Sequence, residues 1–307
     1  MPNIISVADL SKEELLGLIQ KAAEFKESFN TGKANALLQG KFVGLIFEKP
    51  STRTKISFYV AAEKLGAHAV SLLASELQLG RGEPVKDTAR MFPGWLDILV
   101  ARVFKHEMLE ELAKFSGLPV INALSDKEHP TQIISDLLTV QEFKKKLSEL
   151  KIAFIGDTSN VANSLMLACA ILGINFAIAY PEGYDPDRAL LEKAKAFAKK
   201  SKSDLLLTHS TKEAVSEADV LYTDVWVSMG EEVEAEKRKR DFKGYQINKE
   251  LLRFAKNDAI VMHCLPAHRG EEITEEVLEG PKSVVWQQGR NKLYGAASAL
   301  AYAVKQH

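Results

Sequence analysis

Apolar residues return every three or four positions through SKEELLGLIQKAAEFKESF, a pattern that predicts an amphipathic helix opened by the capping box Ser11–Glu14. Short continuous apolar runs then alternate with helical patterns. KFVGLIF, AHAVSLL, LDILVAR and PVINAL read as strands, while KISFYVAAEKLG (ended by Gly66), PVKDTARMF and HEMLEELAKFSG read as helices. Alternation of this kind predicts a parallel sheet covered on both faces. HPTQIISDLLTVQEFKKKL follows as a long helix closing in polar residues near Glu149.

The pattern restarts with the strand KIAFIGD, the helix NSLMLACAILG and the strand NFAIAYP. Further strands are predicted at DLLLTH, DVLYTD, AIVMHCLP and SVVWQQ, and further helices at DRALLEKAKAFAKK, TKEAVSEA and NKELLRFAK. AASALAYAVKQ closes the chain as an apolar helix. The expected fold is α/β, with two domains that each hold a central parallel sheet flanked by helices, joined near residue 145. Ligands of open parallel sheets bind at the carboxyl ends of strands, so the expected site is the cleft between the halves.

Composition adds limits. The 307 residues suffice for two cores, and 46% hydrophobic with 26% charged residues suits a soluble globular protein. A formal net charge of -1 gives no sign of a nucleic-acid or acidic-membrane partner. The basic run Lys237, Arg238, Lys239 and Arg240 follows Glu231, Glu232, Glu234 and Glu236, and reads as a solvated, charge-balanced helix face. Cys169 lies in an apolar helix pattern, and with Cys264 makes neither a disulfide framework nor a zinc spacing. The N-terminus lacks a basic start with an apolar run, and no stretch reaches the ~20 apolar residues that span a bilayer. A reducing cytoplasmic compartment is expected.

Five stretches carry candidate chemistry. FEKPSTRT follows a strand and opens a helix, where unpaired N–H groups and the dipole favour an anion. Ser51, Thr52 and Thr54 add hydroxyl donors and Arg53 a planar fork suited to two phosphate oxygens. A plain helix cap by Ser51 is the competing reading. In HPTQ, His129 and Gln132 share a helical face and both can donate to a carbonyl oxygen, or His129 caps the helix. Arg102 ends its strand, as a site residue or a solvated one.

HCLPAHRGEE sets Cys264 at a strand end beside a proline that could be cis. A thiol-protease reading there lacks an independently placed base and an orienting partner. Asp224, in DVWVSMGEE, stands where a carboxylate could hold an amine or cap a loop. GDTSNVANS occupies the place of a dinucleotide-binding turn without its G-x-G-x-x-G, which disfavours a nicotinamide cofactor.

Together and in this order, FEKPSTRT, HPTQ, DVWVSMG and HCLPAHRGEE resemble the ornithine carbamoyltransferase family, within the aspartate/ornithine carbamoyltransferase group. SELQLGRGEPVKDTAR and PEGYDPD extend the resemblance over nearly the whole chain. It implies transfer of the carbamoyl group from carbamoyl phosphate to L-ornithine, giving citrulline and phosphate. It implies a carbamoyl-phosphate domain at 1–145, completed by a C-terminal helix at about 290–307, and an ornithine domain at 146–289. It also implies a homotrimer or a multiple of trimers, and no metal or organic cofactor. By resemblance Ser51, Thr52, Arg53 and Thr54 grip the phosphate, while Arg102, His129 and Gln132 polarise the carbamoyl oxygen. Gln78 reaches the neighbouring subunit's site. Asn160, Asp224, Ser228 and Met229 hold the amino-acid part of ornithine, and Cys264 with the Leu265 backbone lies near the attacking amine.

One position departs from the family pattern. The usual W-x-Q-x-x-N-R-L ending is WQQGRNKL here, with Lys292 at the arginine position and Arg290 two residues earlier. Lysine keeps the charge and loses the fork, so Lys292 is expected to serve as a point charge, with Arg290 as its rival. The alternatives to ornithine are another amine, such as putrescine or an acylated ornithine, and a non-catalytic relative.

Overall fold

A computed structural model describes residues 2–32, 36–73, 75–227 and 232–304. Among the described residues nine strands run in two wholly parallel sheets: β1 (Phe42–Phe47), β2 (His68–Leu73), β3 (Ile98–Arg102), β4 (Val120–Leu124), β5 (Lys151–Ile155), β6 (Asn175–Ala179), β7 (Leu205–Thr208), β8 (Val220–Thr223) and β9 (Ile260–His263). The helices are α1 (Lys12–Asn30), α2 (Arg53–Lys64), α3 (Val85–Met91), α4 (His106–Ser116), α5 (Pro130–Lys144), α6 (Asn160–Leu172), α7 (Arg188–Ser201), α8 (Thr211–Val215), α9 (Ala235–Asp241), α10 (Lys249–Leu252), α11 (Glu275–Leu278) and α12 (Val285–Ala303). The chain forms two compact units, Met1–Leu138 with Arg290–His307, and Thr139–Gly289.

The first unit carries the sheet β2-β1-β3-β4. Near-continuous Val, Ile and Leu in β1 and β3 suit strands covered on both faces. Leu99, Ala101, Leu109, Leu112 and Val120 meet in one buried cluster, and each fully buried Leu contributes roughly 1.5–3 kcal/mol. The returning helix α12 is tied to α1 by Ser298 Oγ donating to the Leu18 carbonyl at 2.6 Å and Tyr302 OH to Glu14 Oε1 at 2.7 Å. Its fit against α5 depends on Gly295, where an added Cβ would lie 2.2 Å from Ser135 Oγ.

The second unit carries the sheet β7-β6-β5-β8-β9. Ala153, Ile155, Leu221, Val261 and Ile273 belong to its core. Between β5 and α6 the chain turns at Gly156, whose φ of 130° is a conformation that favours glycine.

Two expectations are corrected. SVVWQQ is not a strand: Ser283 makes one isolated bridge to Val261, and α12 begins at Val285. Val, Val and Trp carry strand propensity, yet propensity is a weak prior beside packing, and Val284 and Val285 are buried here. The basic run is not wholly solvated either. Lys237, Lys239 and Arg240 are exposed, but Arg238 is buried. Among the described residues no helix is long and apolar enough to cross a membrane.

Candidate active site

In the first unit, helix α2 starts at Arg53 with Thr52 as N-cap, and no side-chain oxygen caps it. The Ser51 cap weighed from the sequence does not form, so the first-turn N–H groups keep their capacity for an external acceptor. Thr54 is buried, Ser51 and Arg53 are half-buried, and Thr52 is exposed. The preceding turn is pinned beside β3, because Glu48 N donates to the Arg102 carbonyl at 2.9 Å and Glu48 Oε2 accepts from Phe104 N at 2.6 Å.

Arg102, read as either a solvated residue or a site residue, is 7% exposed. His129 and Gln132 are buried at the start of α5. That start is built by Ser125 N donating to the Glu128 carbonyl at 2.9 Å. The Glu128 carboxylate, itself buried, accepts from Val7 N at 3.0 Å and from the Ser6 hydroxyl. A carboxylate with these donors anchors the N-terminal segment under the His129 turn.

Lys292 reaches this cluster from α12. Its ammonium donates to Gln132 Oε1, and Gln132 Nε2 donates to Asp136 Oδ1 at 2.8 Å. A lysine only donates and a carboxylate only accepts, so the two partners dictate which way the Gln132 amide faces. Thr54, Ser57, Phe58, Thr131, Lys292 and Ala296 line one pocket, which joins the α2 start to α5 and α12. Burial, then the charges of Lys292 and Arg102, hold His129 well below the usual histidine range. His129 is therefore a neutral imidazole that can donate one N–H. Arg290 is exposed, and Gln78 is exposed at the start of the short turn Gln78–Arg81.

In the second unit, Asp224 follows β8 and is buried, with its Oδ1 accepting from Val225 N at 2.8 Å. Asn160 opens α6 and is half-buried. Ser228 and Met229 lie outside the described residues. Cys264 and Leu265 are half-buried just past β9, in a turn with a cis Leu265–Pro266 peptide and φ of 59° at Leu265.

His263 supports that turn. Its Nδ1 accepts from Leu265 N at 2.9 Å, so in the neutral ring Nε2 carries the proton, donated to Glu272 Oε1 at 2.9 Å. Glu272 Oε1 also accepts from His268 N at 2.6 Å. The orienting partner that the sequence did not reveal is thus Glu272. Even so, both nitrogens of His263 are engaged, which leaves it unfit to take a proton from Cys264.

Asp224, His263 and Cys264 bring ligating atoms within 4.8 Å of one another, as do His268, Glu271 and Glu272. A metal at the first group would have to displace a partner of His263. At the second, Glu271 already meets Lys239 at 2.8 Å. Sequence reasoning passed over Asp136, Glu272 and Arg238. Only for Arg238 was there a hint, since it lies four residues before Phe242 on the apolar side of α9.

Comparison with known proteins bears on both units. Residues 2–142 match the family model described as "Aspartate/ornithine carbamoyltransferase, carbamoyl-P binding domain", and residues 148–303 match its "Asp/Orn binding domain". An ornithine carbamoyltransferase of Methanosarcina acetivorans is 51% identical over 97% of this chain and 97% of its own. An anabolic one of Pyrococcus furiosus is 46% identical over 97% and 95%. The solved structure of the Pyrococcus furiosus ornithine carbamoyltransferase superposes with a TM-score of 0.94 at 45% identity, covering 98% of this chain and 96% of that one. That of the anabolic ornithine carbamoyltransferase from Campylobacter jejuni gives 0.93 at 42% identity, covering 99% of each. With both domain models matched and relatives aligned end to end, this chain belongs to the aspartate/ornithine carbamoyltransferase family.

Proposed function

We propose that this protein transfers the carbamoyl group of carbamoyl phosphate to the side-chain amine of L-ornithine, giving L-citrulline and phosphate. The observation that carries the reading is the buried set Arg102, His129, Gln132 and Lys292. The same pocket that Lys292 lines is lined by Thr54 at the uncapped α2 start. Residues 1–145 with about 290–307 serve carbamoyl phosphate, and 146–289 serve ornithine.

Carbamoyl phosphate brings its own leaving group, so no covalent intermediate with the protein is required. Ser51, Thr52, Arg53 and Thr54 hold the phosphate with hydroxyls, a guanidinium and the α2 N–H groups. Arg102 and neutral His129 donate to the carbamoyl oxygen, and Gln132 contributes its second Nε2 hydrogen. These donors are fixed before the reaction, so they stabilise developing oxyanion charge without reorganising. Lys292 takes the place of the family's arginine as a point charge. It is buried and bonded to Gln132, while Arg290 is exposed. Asn160 and Asp224 hold the amino-acid end of ornithine, which is the orientation that nucleophilic attack needs. The Cys264–Leu265 turn, braced by His263, lies near the attacking amine.

Gln78 completes the site of a neighbouring subunit in a homotrimer or a multiple of trimers, and the exposure of its side chain agrees with such a role. Light scattering on the purified protein tests the assembly, and a monomeric mass with full activity refutes it. A cytoplasmic setting agrees with the two free cysteines.

The function itself is tested by measuring ureido product and phosphate with ornithine, putrescine, an acylated ornithine and aspartate offered side by side. Ornithine gives the highest rate. Putrescine or the acylated ornithine ranking first overturns the choice of acceptor, and no phosphate with any amine overturns the enzyme reading.

A further inference from the structure

β4 lies at an edge of the first sheet, where a bare strand would expose unpaired N–H and C=O groups. The chain's own N-terminal segment covers that edge. Ile4 bridges in parallel to Ile121, with Ile4 N donating to the Val120 carbonyl at 2.9 Å and Asn122 N to the Ile4 carbonyl at 2.8 Å. Side chains extend the seam: Asn3 Oδ1 accepts from Val120 N at 2.8 Å, and Asn122 Nδ2 donates to the Ile5 carbonyl at 2.8 Å. Ile4, Ile5, Ser6 and Val7 are all buried. The segment then closes in a single 3-10 turn at Val7–Asp9, capped by Ser6, whose Oγ accepts from Ala8 N at 3.0 Å.

That turn lands on Glu128, the residue before His129. The Ser6 hydroxyl donates to Glu128 Oε1, and Val7 N to Oε2 at 3.0 Å, so each carboxylate oxygen has a donor from the N-terminal segment. Glu128 is 1% exposed. Its backbone is held as well: its carbonyl accepts from Ser125 N at 2.9 Å, and its N–H donates to Ser125 Oγ at 3.2 Å. The His129 carbonyl accepts from Gln132 N at 3.0 Å where α5 begins. Burying a carboxylate is costly, and an apolar side chain would cover the β4 edge without that cost. What the carboxylate adds is fixation: two charge-assisted hydrogen bonds, one to each oxygen, tie the residue to a segment already sewn to the sheet.

We infer that Glu128 is a positioning residue for carbamoyl transfer, and that the N-terminal segment, through Ser6 and Val7, is the support that aims His129. The inference rests on the proposed donation from His129 to the carbamoyl oxygen. A neutral imidazole has a single N–H, so its stabilisation of a developing oxyanion depends on where that N–H points. Glu128 acts through the peptide it shares with His129, not by contact with substrate. A stretch that precedes the first long helix is thereby made part of the first unit's site. A side chain that only covered the sheet edge would change unfolding and leave turnover per folded molecule alone.

The test compares wild type, Glu128→Leu, Glu128→Gln, Ser6→Ala and His129→Ala by steady-state kinetics in each substrate and by thermal unfolding. Glu128→Leu lowers kcat about 10- to 100-fold at temperatures where it is fully folded, the scale that a misplacement of up to one ångström produces. The KM values for carbamoyl phosphate and ornithine stay within about threefold, since the phosphate grip and the second unit keep their contacts. Glu128→Gln recovers most of the loss, because its carbonyl can accept from Val7 N while its amide donates to Ser6 Oγ. Ser6→Ala, which removes the hydroxyl donor to Oε1, lowers kcat about three- to tenfold. Where Glu128→Leu does not fold, Ser6→Ala decides the matter, and an unaltered kcat there overturns the inference. So does a kcat within about twofold of wild type in folded Glu128→Leu, or kcat and both KM values worsening in step with the melting temperature. A His129→Ala protein with full kcat overturns the donor role of His129 and the inference with it. Loss of kcat in His129→Ala beside an unaffected Glu128→Leu sinks the inference alone. Wild type that makes no citrulline overturns the proposed function beneath both, an outcome distinct from either.

Discussion

The two units treat buried charge differently. In the second, two buried carboxylates are matched by cations: Asp157 by Arg238, and Asp219 by Lys144 at 3.8 Å and Lys256 at 2.9 Å. Matched pairs tie loops and strand ends together and present little net field to a ligand. In the first, both charges that act on buried His129 are positive. Two cations beside a neutral imidazole favour an incoming anion. One unit sets cations against carboxylates, and the other gathers positive charge about His129.

The sharpest way to break this contrast is to remove a donor from the first unit. Arg102→Leu is expected to lower kcat about 100- to 1000-fold, as loss of an oxyanion donor does, while thermal unfolding changes little. Steady-state rates with saturating ornithine check it. A loss below tenfold would mean that Arg102 does not face the reacting carbonyl.

Gly295→Ala comes next. The new methyl would sit 2.2 Å from Ser135 Oγ, and overpacking costs about 1–3 kcal/mol against the ~1 kcal/mol that alanine gains over glycine in a helix. Chemical denaturation is expected to give a net loss, accompanied by a higher KM for carbamoyl phosphate, because α12 carries Lys292. Lys292→Ala itself is expected to raise that KM about tenfold, the measure of ~1.4 kcal/mol, with Arg290→Ala within about twofold. The reverse ranking would hand the role to Arg290.

The smallest effect is a slope. His129 is held below its usual range, so the unfolded chain binds its proton more readily than the native one. Below about pH 6.5 stability therefore falls with pH, by at most ~1.4 kcal/mol per unit for this group. His106, lowered chiefly by its own burial, adds to the slope. His129→Gln should remove one proton's share of it. Urea midpoints compared between pH 5 and pH 7 read this directly, and an unchanged slope would mean that His129 is charged in the native state.

Much of the fold was legible because parallel strands buried on both faces read as unbroken apolar runs, as in Phe42–Phe47 and Ile98–Arg102. The failure at SVVWQQ is instructive, since six residues of mixed propensity cannot say whether the neighbouring surface wants a strand or a helix. The candidate site was read from the motifs that follow strands: FEKPSTRT, HPTQ and HCLP each lie where a doubly wound layout presents ligands. Asp136, Glu272 and Arg238 were not, since their partners, Gln132, His263 and the Trp226 carbonyl with Asp157, are met only on packing, and single residue types carry no mark of that.

By itself the sequence determined the alternation of elements, the two parallel sheets and the residue types able to grip a phosphate, because period and local chemistry are written in neighbouring positions. The tertiary structure alone decided that Lys292 meets Gln132, that His129 is neutral, and that Arg238 lies inside rather than on a solvated face. Those outcomes depend on burial and on which distant groups share a few ångströms, and both arise only when the chain has packed.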